Sequence, residues 1–156
     1  MAIKPDDGSS GLREILAFAI NKEQEAIDFY RDLARRVKAK SLVNELEKIA
    51  AMEAGHRDRL KAIDVATLAR STPKKVVDLK IADYLVPQEP TKGMTWQDIL
   101  TIAMHRELAS VKLYTDLAAR VEDGIARQLF EKLAAEEAGH KRYFEQIWDE
   151  EILIWN

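Results

Sequence analysis

The sequence predicts an all-α fold, a four-helix bundle made of two duplicated helical hairpins joined by a long crossover. Three observations predict it. Four long segments carry apolar residues at helical 3/4 spacing, the chain resembles itself at an offset of 84 residues, and one proline-bearing stretch divides it in the middle.

The first helix is expected over about 10–38, with Leu12, Leu16, Ala19, Ile27, Leu33 and Val37 on one stripe. Ser41 is positioned to cap a second helix over about 41–68, whose inner stripe is Leu42, Leu46, Ile49, Leu60 and Ile63. Thr95 followed by Asp98 reads as a capping box and opens a third helix over about 95–121, with Leu100, Ala103, Val111, Leu117 and Ala118 inward. Asp123 and Gly124 break the chain before a fourth helix over about 123–148, with Phe130, Leu133, Phe144 and Ile147 inward. The crossover, about 69–94, holds Pro73, Pro87, Pro90 and Gly93, and its stretch Val76 to Val86 is expected to form a short strap or helix.

The repeat is specific. Moving the sequence by 84 places lays Glu23 on Glu107, Tyr30 on Tyr114 and Asp32-Leu33-Ala34 on Asp116-Leu117-Ala118. It also lays Glu53-Ala54-Gly55-His56 on Glu137-Ala138-Gly139-His140. Roughly 18 of about 49 aligned positions are identical, far more than unrelated helices share.

Composition narrows the function. At 156 residues a single domain over 1–156 is expected. With 24 basic and 27 acidic residues the net charge is −3, and no basic run is interleaved with aromatics, so nucleic-acid binding has no electrostatic footing. The absence of cysteine excludes disulfides and cysteine-ligated zinc or iron within these residues. Met1 to Gly11 is polar, without the apolar run of a signal peptide, and no segment nears the roughly 18 apolar residues of a membrane span. The expected location is the cytoplasm, without membrane contact.

The chemistry-bearing residues lie where solvated residues do not belong. Glu53 and His56 share a helix face, as do Glu137 and His140, and the flanking stripes make those faces buried. Glu23 and Glu107 fall on the buried stripes of the other two helices. Glu23 and Glu53 are 30 residues apart, as are Glu107 and Glu137, with midpoints near Lys38 and at Glu122, where turns are expected. Partners equidistant from an antiparallel turn face each other, here roughly 22 Å from it. Four buried carboxylates need neutralising, since each buried ion costs several kcal/mol. Two divalent cations supply the matching charge. One Glu from each of two helices with Glu-x-x-His from each of the other two is the known pattern of di-iron and di-manganese bundles. Carboxylate oxygen and imidazole suit iron or manganese, and zinc also accepts such ligands.

With Glu23…Tyr30 on one helix and Glu-x-x-His on the next, in two copies, the chain resembles the ferritin-like superfamily, and most of all its rubrerythrin branch, over nearly its whole length. The resemblance implies a ferritin-like bundle with two Fe ions, a non-haem centre reacting with hydrogen peroxide or dioxygen as a peroxidase or ferroxidase. The implied ligands are Glu23, Glu53, His56, Glu107, Glu137 and His140, and an external electron donor protein is the implied partner. Iron binding, storage or delivery is the alternative, and a metal-free structural bundle the second alternative. The chain departs from the branch at Met104 and Ser110, which stand where typical members carry an extra carboxylate, and it lacks the cysteines of their rubredoxin domain.

Other residues are read more plainly. Tyr30 and Tyr114, two turns beyond a glutamate, are expected to orient ligand carboxylates through their hydroxyls. Gly55 and Gly139 cost a helix about 1 kcal/mol each against alanine, and they either allow close helix packing, the expected reason, or open space beside the metals for a small oxidant. His105 and Glu25 fall off the ligand face and are expected at the surface. Trp148, Ile152, Leu153, Ile154 and Trp155 are expected to cover the core or a subunit interface, in a homodimer.

Overall fold

The computed structural model describes residues 9–71, 79–86 and 94–155. It divides into two compact units, Met1–Asp78 and Leu79–Asn156, each built on one copy of the repeat. Among the described residues every regular element is helical. None of these helices is long and apolar enough to cross a membrane.

In the first unit, α1 (Ser9–Arg36) and α2 (Lys40–Lys61) form an antiparallel hairpin, and α3 (Val65–Ser71) packs on α1. Leu12, Ile15, Leu16, Ala19, Ile27, Tyr30 and Leu33 of α1 are buried, as are Leu46, Ile49 and Leu60 of α2. Val37, Leu42 and Ile63, expected inward, are only half-buried, because they sit at the ends of the hairpin. Ser41 is not the cap. The N-cap position is Ala39, without a side-chain bond, and the exposed backbone of residues 38–41 leaves water to satisfy the first N–H groups.

The second helix also ends earlier than its periodicity suggests. Asp64 accepts hydrogen bonds from the Thr67 N–H (3.3 Å) and hydroxyl (2.8 Å), capping a new short helix instead of continuing the old one. Those two bonds hold the Asp64 carboxyl below its usual range. Leu68 buries the inner side of α3.

The second unit begins with a 3₁₀ turn, Ile81–Tyr84, followed by α4 (Trp96–Arg120) and α5 (Gly124–Trp155). Of the expected strap Val76 to Val86, residues 76–78 lie outside the described residues. The turn itself is anchored on α4. The buried Tyr84 donates from its hydroxyl to Asp116 Oδ2 (2.6 Å), and Lys112 Nζ stands 5.5 Å from its ring centroid. Burial, and then the Asp116 carboxylate, push the Tyr84 hydroxyl well above its ordinary pKa.

Thr95 and Asp98 make the expected capping box, Asp98 N–H to Thr95 Oγ1 at 3.1 Å and Thr95 N–H to Asp98 Oδ2 at 2.9 Å. Asp123 caps α5 by accepting from the N–H groups of Ile125 and Ala126, each at 2.9 Å. The core here is Leu100, Ile102, Ala103, Leu113, Tyr114, Leu117, Phe130, Leu133 and Phe144. Val111 and Ile147 are half-buried, and Leu113 takes a core place not assigned from the sequence. Helix α5 runs to Trp155 rather than about Trp148, since no proline, glycine or capping side chain interrupts it. The side chains of Ile152, Leu153, Ile154 and Trp155 lie outside the described residues, and Trp148 is half-buried.

Both hairpin turns are three residues long, 37–39 and 121–123, and contain the midpoints Lys38 and Glu122. That equality sets Glu23 opposite Glu53 and Glu107 opposite Glu137.

Candidate metal centre

In the first unit α1 supplies Glu23 and α2 supplies Glu53 and His56, all at most 2% exposed. Each offers a ligand atom, and those atoms lie within 4.8 Å of one another. His56 Nδ1 stands 3.4 Å from Glu53 Oε2 and 3.7 Å from Glu23 Oε1. Such separations are long for hydrogen bonds. They are close to the roughly 3 to 3.5 Å between atoms that share one ion at about 2.0–2.2 Å.

The second unit repeats the arrangement. Glu107 from α4 is 2% exposed, with Glu137 and His140 from α5 at 1% and 6%. Their ligand atoms also lie within 4.8 Å of one another, and His140 Nδ1 is 3.8 Å from Glu107 Oε2. The structure thus brings together Glu23 with Glu53 and His56, and Glu107 with Glu137 and His140.

The electrostatics of the first trio reflect its confinement. Burial, then the neighbouring Glu53, raise the Glu23 carboxyl well above the ordinary carboxylate range. Burial alone would depress the His56 imidazole, but the Glu23 and Glu53 carboxylates beside it outweigh that and raise it to about 10. Protons therefore balance this charge when no cation does. Hard oxygen donors and imidazole nitrogen, buried and converging, are a fitting donor set for iron or manganese.

Of the surrounding residues, Tyr30 and Tyr114 lie fully in the core. Tyr30 packs edge-on to Phe29 (5.2 Å between centroids), and Tyr114 is stacked with Phe130 at 6.5 Å. His105 is exposed, and Glu25 is a half-exposed partner of Lys22 at 2.9 Å. Packing does not explain the glycines. A Cβ at Gly55 would meet nothing within 4 Å, and one at Gly139 only the Arg142 guanidinium at 3.8 Å. Sequence reasoning missed the polar link beside the first trio, where Arg57 Nη1 donates to Gln24 Oε1 at 2.8 Å. Its only signal was a polar residue directly after Glu23 and after His56 on two facing helices.

The rubrerythrin family profile matches residues 14–95 and 98–151, most of the chain. The chain belongs to the rubrerythrin family. No curated protein matches it. Two solved structures share its fold. One, from Thermotoga maritima, was proposed to be a ferritin-like diiron-carboxylate protein; it is 23% identical with a TM-score of 0.67, over 85% of this chain and 91% of that one. The other, a hypothetical protein from Pyrococcus furiosus, is 23% identical with a TM-score of 0.69, over 93% of this chain and 92% of that one. The all-α, ferritin-like bundle read from the sequence is therefore the fold of this rubrerythrin-family chain. Its family and its buried Glu/His trios fit a di-iron protein.

Proposed function

We propose that Glu23, Glu53, His56, Glu107, Glu137 and His140 bind two iron ions, and that the protein is an oxidoreductase reducing hydrogen peroxide or dioxygen. The observation that carries this reading is the buried Glu/Glu/His trio, present twice at identical register on hairpins with equal turns. Four glutamates offset the charge of two divalent ions, which explains why so many carboxylates tolerate burial.

Glu23, Glu53, Glu107 and Glu137 would hold the ions through carboxylate oxygens, and the two histidines through Nδ1, the atom that faces the carboxylates. When bound, the metal pair supplies electrons to the oxidant. The chain's own residues hold the donors in place and keep bulk water away. Tyr30 and Tyr114 steady the carboxylates. Electrons come from a separate donor protein. The protein acts in the cytoplasm as a homodimer.

Anaerobic loading with Fe(II), followed by peroxide and dioxygen in separate experiments, tests the reading. About two irons per chain and an oxo-bridged ferric absorption are expected, and both are lost in Glu53→Ala and Glu137→Ala. Clearly fewer than two irons, or an unchanged spectrum in both variants, refutes it.

A further inference from the structure

The two copies of the hairpin agree in their ligands but differ in what stands immediately beside them. In the first unit Gln24 follows Glu23 and Arg57 follows His56. The Arg57 guanidinium crosses from α2 to α1 at the level of the ligands, donating to Gln24 Oε1 at 2.8 Å. Its Nε donates to Asp58 at 3.0 Å, which sets the orientation of the planar group, and its side chain is 24% exposed.

At the corresponding places in the second unit stand Leu108 and Lys141. Leu108 has no polar side-chain atom and is 50% exposed. Lys141 is paired with Glu145 on its own helix. The side chain of His140 is 8% exposed, against 1% for His56.

We infer that the two trios hold metal unequally: Gln24 and Arg57 clamp the α1–α2 trio, while the α4–α5 trio gives up its ion first. This rests on the metal centre proposed above. Release of a buried ion requires a ligand to swing away and water or a chelator to take its place. The Gln24–Arg57 bond resists separation of the two helices that carry Glu23 and His56. In the second unit that bond cannot form, and the imidazole is more open to water. Gln24 and Arg57 are positioning residues, acting through the helices that carry the ligands. Partners bonded directly to metal ligands commonly change affinity by about 10- to 100-fold, and a bridge that acts only through the helices carrying the ligands belongs at the low end.

The test uses the whole chain loaded anaerobically with Co(II), the total bound being measured first. Excess EDTA is then added, and the loss of visible Co(II) absorption is followed. Two phases of equal amplitude are expected, differing about tenfold in rate. Gln24→Ala and Arg57→Ala should each move the slow phase into the fast one without lowering the total bound, and Arg57→Lys should recover part of the slow phase. The double change Leu108→Gln with Lys141→Arg builds the bridge into the second unit and should slow the fast phase. A single release rate for two bound ions overturns the inference, as does equal acceleration of both phases by Arg57→Ala, or no slowing in the double variant. Binding of clearly fewer than two ions by the unaltered chain instead overturns the metal centre itself, a result distinct from two ions leaving together.

Discussion

Uptake of metal should be steeply dependent on pH, and the first trio gives the size of the effect. With its pKa raised to about 10 by Glu23 and Glu53, His56 is protonated at pH 7 in the metal-free protein. It must lose that proton before its Nδ1 can bind a cation. Removing that proton at pH 7, about three units below the pKa, costs roughly 4 kcal/mol at about 1.4 kcal/mol per unit. The raised Glu23 carboxyl adds a proton in the same sense. The logarithm of the Co(II) association constant should therefore rise by at least about one per pH unit between pH 6.5 and 8.5. Calorimetry in buffers of different ionisation enthalpy should count at least one proton released per chain. Stability of the metal-free fold should move the opposite way. A folded pKa above the unfolded value of about 6.5 contributes stability that is complete below that value and is lost as pH rises toward 10. Affinity that stays flat across this range, with no protons released, would refute the account of how the buried charge is balanced.

Three further outcomes concern the scaffold. Gly55→Ala should stabilise the metal-free protein by up to about 1 kcal/mol, seen as a melting temperature higher by roughly 2 to 4 °C, because the added methyl meets nothing. Destabilisation in the same melting experiment would mean the position faces a close neighbour. Tyr84→Phe should cost about 1 to 2 kcal/mol in urea unfolding, the low end for a bond to a charged group, since the Asp116 partner is only partly buried. Asp123→Ala should cost about 1 kcal/mol by the same method, through loss of the two N–H bonds that begin α5.

The buried Glu/His trios were legible because they sat on apolar stripes, where an acidic side chain is out of place, and because each hairpin repeated the other's spacing. The turns at Lys38 and Glu122 followed from the same symmetry. What the sequence hid had no period. Asp64 interrupts α2 while Leu60 and Ile63 still keep helical spacing, so a capping interaction overrode a pattern that pointed onward. Tyr84 is a single aromatic in a segment without repeats, and its partners Lys112 and Asp116, far along the chain, give it a place. Ser41 had the right chemistry for a cap but an exposed backbone around it, where water competes well. The glycines beside the histidines invited a packing explanation that the space around them does not support.

The three-residue turns carry a lesson about how such a protein tolerates change. One residue added to a helix between a turn and a donor would rotate that donor by about 100° and slide it about 1.5 Å, enough to carry it out of reach. Length along those stretches is as constrained as the identity of the donors, so related chains should differ by substitution there and gather insertions elsewhere. The spacer works as a ruler, copied once and preserved in both halves.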